Sequence, residues 1–230
     1  MDDIEFRDRA VYLGATNTLV VADLHLGRAA SSNVDVPLDE TGDIHSRLAA
    51  LIEQFEPQQV VFAGDILHSF STVPRGVEQA VAELYEQCLA ARCEPIATEG
   101  NHDTQLESVW PDDIVDSVRL ADGTVICHGH TVPDRHGEQY IIGHDHPTIS
   151  IEGKRHPCLC VDPTGYRGRE LLVLPAFTRL ASGVELNQLR ADALQSPLIS
   201  SVDSLQPHIW DAESKTTLEF PPLGEFRRLL

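Results

Sequence analysis

The run Thr18-Leu19-Val20-Val21-Ala22-Asp23-Leu24-His25 decides the fold: five residues with the character of a buried strand are followed at once by a carboxylate and an imidazole two positions apart. The same construction recurs. Gln59-Val60-Val61-Phe62-Ala63 delivers Gly64-Asp65-Ile66-Leu67-His68, and Glu94-Pro95-Ile96-Ala97-Thr98 leads to Gly100-Asn101-His102-Asp103. Thr124–Cys127 delivers His128-Gly129-His130, and Tyr140-Ile141-Ile142 delivers Gly143-His144-Asp145-His146. Short apolar runs bounded by turn residues read as buried strands. Polar side chains placed just beyond strand ends can converge on one sheet edge although they are far apart in sequence. The five motifs together hold the ligand types for two adjacent divalent metals, which points to an enzyme.

Working outward, residues 4–13 and 18–22 read as a hairpin entering the Asp23 motif. From about Leu38 to Phe55, after a polar loop with Pro37, Ile44, Leu48, Leu51, Ile52 and Phe55 recur at helical spacing and Pro57 marks the stop. A second helix is expected from about Pro74 to Ala91, with Val77, Ala80, Val81, Leu84 and Leu89 on its apolar side. The pattern then turns to strands. Ile114–Leu120 and Thr124–Cys127 flank Asp122-Gly123, a strong hairpin signal. Thr148–Ile151, Cys158–Val161, Leu171–Leu174, Ile209–Trp210 and Leu218–Phe220 continue the series. Parallel βα units dominate the first half and meanders the second, so an α/β chain with two facing mixed sheets flanked by helices is expected rather than one doubly wound sheet.

Each motif has a bland explanation by itself: Asp-x-His can be a surface ion pair, and Gly64-Asp65 a mere turn. Their co-occurrence does not. Seven of the eleven histidines lie inside the five motifs, which scattered core or surface histidines would not do. His45, His136, His156 and His208 are read as ordinary surface or turn residues.

At 230 residues and 42% hydrophobic, the chain is long enough for one well-cored domain spanning 1–230. Its metal-site core is expected at about 18–150 and a β-rich completion over 151–230. No run of about 18 apolar residues and no signal-like leader is present, so a soluble, cytoplasmic protein with no membrane partner is expected. The five cysteines, Cys88, Cys93, Cys127, Cys158 and Cys160, lack a C-x-x-C pair and suit reduced thiols packed as small hydrophobes. Cys158 and Cys160 face one side of a strand, but no second pair of zinc-finger spacing accompanies them.

The formal net charge is −19, from 36 acidic and 17 basic residues, with Lys154 and Lys215 the only lysines. Self-repulsion of that size is tolerable where salt screens it, since the Debye length is about 3 Å at molar ionic strength. A halophilic source is therefore expected. Nonspecific duplex binding relies on Lys and Arg displacing counterions, a term that weakens steeply as salt rises, so on so acidic a chain any nucleic-acid contact must be local. Arg28, Arg47, Arg75, Arg135, Arg167 and Arg169 are candidates to line a cleft.

The motif series D-x-H, G-D, G-N-H-D, H and G-H-x-H resembles the calcineurin-like metallophosphoesterase superfamily over roughly residues 18–150. Gly64-Asp65-Ile66-Leu67-His68 looks like the Mre11/SbcD nuclease branch, where a His stands three residues after the Asp. Ala22-Asp23-Leu24-His25-Leu26-Gly27-Arg28, with Leu172-Val173-Leu174-Pro175-Ala176-Phe177, is similar to the ICC-like, ligase-associated phosphoesterases. The resemblance implies an αββα sandwich of four layers. It implies that Asp23, His25, Asp65 and His146 bind one metal, and Asp65, Asn101, His128 and His144 the other, with Mn²⁺ the first choice and Fe, Ni²⁺ or Zn²⁺ as alternatives. Two such ions sharing a water would supply hydroxide for in-line attack on phosphorus.

By the same carry-over, His102 is the catalytic histidine, Asp103 orients it, and His68 contacts phosphate. Arg28 and His130 are expected on the substrate side, His130 equally well as a structural group. Asp145 should point away from the site. A phosphodiesterase or nuclease is implied, with DNA or RNA as substrate and a DNA-repair protein as possible partner. His68 in place of the Asp-Arg continuation of the protein phosphatases favours diesters. The alternatives are a phosphomonoesterase on small metabolites or a catalytically silent metal-binding scaffold. Oligomeric state stays open, Trp110, Trp210 and Leu229-Leu230 serving either a dimer contact or the core.

Overall fold

In a computed structural model, the described residues are 3–28, 40–68, 73–189 and 194–227. Two mixed sheets face each other. The first contains β1 (Ile4–Arg7), β2 (Ala10–Leu13), β3 (Thr18–Val21), β4 (Gln59–Ala63), β5 (Glu94–Thr98) and β6 (Ile114–Val115), in that order. Its first two pairings are antiparallel and β3 to β6 run parallel. The second sheet is ordered β16-β15-β12-β13-β9-β8-β7. Its strands are β7 (Ser117–Arg119), β8 (Thr124–Cys127), β9 (Gln139–Ile142), β12 (Leu159–Tyr166), β13 (Arg169–Val173), β15 (Gln206–Asp211) and β16 (Thr216–Glu219). A small third sheet joins β10 (Pro147–Ile151), β11 (Lys154–Pro157) and β14 (Val184–Glu185).

Period-two alternation explains the layers. Val20, Ala22, Val61 and Ala63 of the first sheet meet Ile126, Ile141, Leu159, Val161 and Leu172 of the second in one buried cluster between the sheets. The alternate residues Leu19, Val21, Val60 and Phe62 pack outward against the helices. Those helices are α1 (Glu40–Phe55) and α2 (Val77–Ala90). Ile44, Leu48, Leu51 and Ile52 of α1 are buried, each contributing roughly 1.5–3 kcal/mol by removal from water. Glu40 and Asp43 sit in the first turn of α1, where the helix dipole favours negative charge. The far face of the second sheet buries Val125, Cys127, Tyr140, Ile142, Cys158, Cys160, Leu171 and Val173. It is covered by Ile149 of the small sheet, by Leu186, Leu198, Val202 and Leu205, and by the short helix α3 (Leu223–Phe226). All five cysteines are free and buried, as small hydrophobes would be.

Several local expectations change. The anticipated strand over 114–120 is divided at Asp116: Ile114–Val115 joins β5 in the first sheet, and Ser117–Arg119 joins β8 in the second. Among the described residues the second half also contains three parallel pairings, β8 with β9, β9 with β13 and β10 with β14, where meanders were expected to dominate. Helix α2 starts at Val77, after Gly76 in the left-handed region, and Leu89 is 45% exposed while Cys88 takes its place inside. His208, read as a surface residue, lies on β15 and is 5% exposed. Trp110 is in the core against Phe62 and Tyr85, and Trp210 packs against the inter-sheet cluster; Leu229-Leu230, like Pro37 and the Leu38 start of the first helix, lies outside the described residues. No described helix is long and apolar enough to cross a membrane.

Candidate metal centre

The motifs follow the C-terminal ends of β3, β4 and β5 in one sheet and of β8 and β9 in the other. Backbone bonds knit the loops together. Asp23 N–H donates to Gly64 O at 3.1 Å, His25 N–H to Asp65 O at 2.9 Å, and Gly143 N–H to His128 O at 3.0 Å. Within the first two loops, Leu24, Leu26, Ile66 and Leu67 are fully buried and anchor the chain in the core. That anchorage leaves the intervening Asp23, His25 and Asp65 directed to the shared edge.

The close quarters explain the glycines. Gly64 has φ +77°, and a Cβ there would stand 2.5 Å from the His128 Cβ. Gly100 lies directly against the Asp65 backbone and carboxylate.

Asp23 Oδ1 lies 3.0 Å from His146 Nε2 and 3.8 Å from His128 Nδ1, while Asp65 Oδ2 lies 3.4 Å from His128 Nε2 and 3.9 Å from His25 Nε2. His25 and His146 bring their Nε2 atoms within 3.3 Å, and His144 Nδ1 approaches His128 Nε2 at 3.2 Å. Asn101 Oδ1 is 3.0 Å from His128 Nε2. Among the described residues, two groups of donor atoms are close enough to hold a cation: Asp23, His25 and His146, and Asp23, Asp65 and His128. Asp23 stands in both. The expected ligands Asp23, His25, Asp65, Asn101, His128, His144 and His146 are thus brought together.

The electrostatics fit a cation. Asp23 and Asp65 are buried to 0% and 2% exposure, an arrangement that needs positive charge beside it. Burial opposes ionisation of both, yet each carboxyl is held below its usual range, Asp23 mainly by His146 and Asp65 mainly by His128. Against its own burial, His128 is pushed up to about 9 by Asp65 and Asp23, and His146 is raised by Asp23. Burial pushes His25 down to about 4, leaving a neutral imidazole with a lone pair to give. The donor set of carboxylates, imidazoles and one amide oxygen suits Mn²⁺, Fe, Ni²⁺ or Zn²⁺.

Around these donors, the His68 and His102 rings lie nearly parallel with centroids 6.0 Å apart. His102 Nε2 is 3.9 Å from Asp65 Oδ2, and its backbone N–H donates to Asp65 Oδ1 at 2.9 Å. Burial, then the charge of Arg28, lowers the His68 imidazole, which places Arg28 near it. The role expected for Asp103 needs correction. Its carboxylate accepts the backbone N–H groups of Leu67 at 2.8 Å and Gly100 at 3.0 Å, while His102 Nδ1 is buried with no partner among the described residues. Asp103 ties two loops together and does not orient the His102 ring. Burial pushes its carboxyl up to about 6.

His130 lies behind the ligands, its ring 5.2 Å from His128 and 6.2 Å from His144. Of the six arginines considered for a cleft, only Arg28 lines the cavity over the site. Arg47 is buried on α1, stacked 4.1 Å over Phe177, and Arg167 and Arg169 pair with His136 and Glu138.

Sequence reasoning missed part of the surroundings. Phe177 N–H donates to Ala22 O and Thr178 N–H to Asp23 O, so the Leu172–Phe177 run buttresses the first ligand loop. Ala181, Ser182, Gly183, Val184 and Gln195 form the remaining wall of a cavity of about 260 Å³ that holds His25, Arg28, Asp65, Asn101, His102, His144 and His146. No spacing rule flags such residues; Gly183 at φ +65° beside His146 O is the one local signal.

Residues 16–162 match the family model described as calcineurin-like phosphoesterase. Among solved structures, the nuclease MPE of Pseudomonas putida aligns with TM-score 0.64 and 23% identity over 88% of this chain and 88% of that one. The phosphoesterase YfcE of E. coli aligns with TM-score 0.46 and 15% identity over 87% of this chain and 96% of that one. No curated protein sequence matches the chain. Because the family model spans well over half of the sequence and contains every loop that builds the candidate metal centre, the chain belongs to the calcineurin-like phosphoesterase family.

Proposed function

We propose that this phosphoesterase is a two-metal phosphodiesterase, with a nucleic acid or nucleotide as substrate. The observation that carries the reading is the convergence of two buried carboxylates, Asp23 and Asp65, with His25, His128, His144 and His146, facing the His68–His102–Arg28 cluster. Asp23, His25, Asp65 and His146 would hold one cation, and Asp65, Asn101, His128 and His144 the other; Asp65, whose Oδ2 reaches both His25 and His128, is taken as the shared ligand, although Asp23 also stands in both close-packed donor groups. A pair of divalent ions supplies Lewis acidity toward phosphoryl oxygens and makes an attacking water acidic enough to react near neutral pH.

The remaining steps belong to side chains of this chain. The backbone of His102 is fixed by Asp65, so its imidazole stands where it can hold a phosphoryl oxygen or give a proton to the leaving oxygen. Arg28 and His68 bind the phosphoryl group, and His130 supports His128 and His144 from behind. Kinship of fold with a nuclease supports a diester over a monoester, as does His68 itself.

Hydrolysis of bis-p-nitrophenyl phosphate and p-nitrophenyl phosphate with Mn²⁺ tests the reading. The diester should be cleaved at least about tenfold faster, a difference of roughly 1.4 kcal/mol in barrier. Preference for the monoester would overturn it. A panel of single-stranded DNA, duplex DNA, RNA and cyclic nucleotides in molar KCl then identifies the substrate.

A further inference from the structure

The part of the cavity lining next to the His144–His146 loop comes from two segments of the β-rich C-terminal part, beyond the residues that match the family model. Both are pinned to one loop, Gly143–His146. Asp145, 3% exposed and flanked by two proposed ligands, accepts the backbone N–H of Gln195 at 2.8 Å and of Ser196 at 3.1 Å. Ser196 Oγ donates to Gly129 O at 2.7 Å, tying the same segment to the His128–His130 loop. On the other segment, Val184 N–H donates to His146 O at 3.0 Å and Arg155 Nη1 donates to Ser182 O at 3.0 Å. The loop that carries two ligands therefore also fixes the surface beside them.

That surface is chemically unlike the rest of the site. Ala181, Ser182, Gly183, Val184 and Gln195 offer small side chains, one hydroxyl, one primary amide and backbone polar groups, and the one carboxylate beside them, Asp145, is engaged by the Gln195 and Ser196 backbone. The rest of the lining supplies Arg28, four imidazoles, Asn101 and the Asp65 carboxylate. A phosphoryl group belongs with the charged side, and a neutral hydrogen-bonding substituent belongs with the wall. The cavity that holds both surfaces is about 260 Å³, small enough that a phosphoryl group beside the imidazoles brings its substituent to the wall.

We infer that the Ala181–Val184 and Gln195–Ser196 wall, latched by Asp145, selects substrates by contacting the neutral nucleoside next to the scissile phosphate. Gln195 is the contact and Asp145 a positioning residue. The inference rests on the phosphodiesterase reading and extends it to the substrate's leaving or retained nucleoside.

Two measurements on the full chain loaded with Mn²⁺ test it. Calorimetry compares thymidine 5′-monophosphate with inorganic phosphate. Gln195→Ala should weaken the nucleotide about tenfold more than phosphate, the loss expected for one good hydrogen bond. Equal weakening of both overturns the wall's role. Hydrogen exchange reports the latch: Asp145→Ala should speed exchange of the Gln195 and Ser196 amides at least about tenfold, and unchanged protection overturns it. Should Asp145→Ala fail to fold, Ser196→Ala loosens the same segment from the Gly129 side and should show the same exchange and the same selective loss of the nucleotide. Neither readout needs turnover, so an enzyme that cleaves no diester would defeat the functional reading while leaving the wall decided by binding.

Discussion

Asp23, His25, Asp65, His144 and His146 all hold φ between 47° and 73°. Left-handed backbone costs a side-chain-bearing residue roughly 1–2 kcal/mol, and such conformations cluster where function demands them. Asn tolerates this region as Asp does, which makes Asp65→Asn a clean probe. It keeps the shape and the Oδ1 that receives His102 N–H, and it removes one of two adjacent buried charges. The variant should melt within a few degrees of the parent in metal-free buffer and lose at least about 100-fold in diester hydrolysis, the scale of removing one electrostatic stabiliser. A variant that keeps activity would remove Asp65 from the centre. Gly64→Ala behaves oppositely. Left-handed strain and the collision with His128 should together cost about 2–4 kcal/mol in urea unfolding.

At the scale of elements, the alternation of Leu19, Val20, Val21 and Ala22, or of Ile141 and Ile142, was legible because burial on both faces leaves no polar residue to confuse the strand. The ends were legible because polar residues abruptly replace apolar ones. The division at Asp116 was not, because a strand that passes from one sheet to another keeps its local pattern while its partners change. Nor was Asp103, whose type suits catalysis but whose carboxylate serves two backbone N–H groups. His208 was misread for a similar reason: its neighbours Pro207 and Gln206 look like a turn, yet β12 and β16 enclose it.

Burial lowers the His208 imidazole from its usual 6.5, with Glu219 opposing. The native state therefore binds a proton less readily than the unfolded chain, and stability is lost as pH falls below about 6.5. Between pH 7 and pH 5 His208→Gln should lose less stability than the parent in urea titrations. Parallel losses would show that His208 does not contribute.

For the molecule as a whole, two sheets sharing one buried interface bring loops from β3, β4, β5, β8 and β9 to a single edge, which is why motifs 121 residues apart meet at Asp23 and His144. The charge of −19 acts over the same scale. Its repulsion is screened by salt, so the melting temperature should climb steadily as KCl is raised to molar levels. A flat response would assign the acidity to something other than salt adaptation. The C-terminal wall escaped the sequence because its residues are joined to the site through backbone bonds to Asp145 and His146 and not through any recognisable side-chain pattern.

The proposed dinuclear site is tested most directly by adding Mn²⁺ stepwise to metal-stripped protein while following bis-p-nitrophenyl phosphate cleavage. Activity should rise to a plateau at two equivalents per chain. A plateau at one equivalent, or no cleavage at any ratio, would contradict the account.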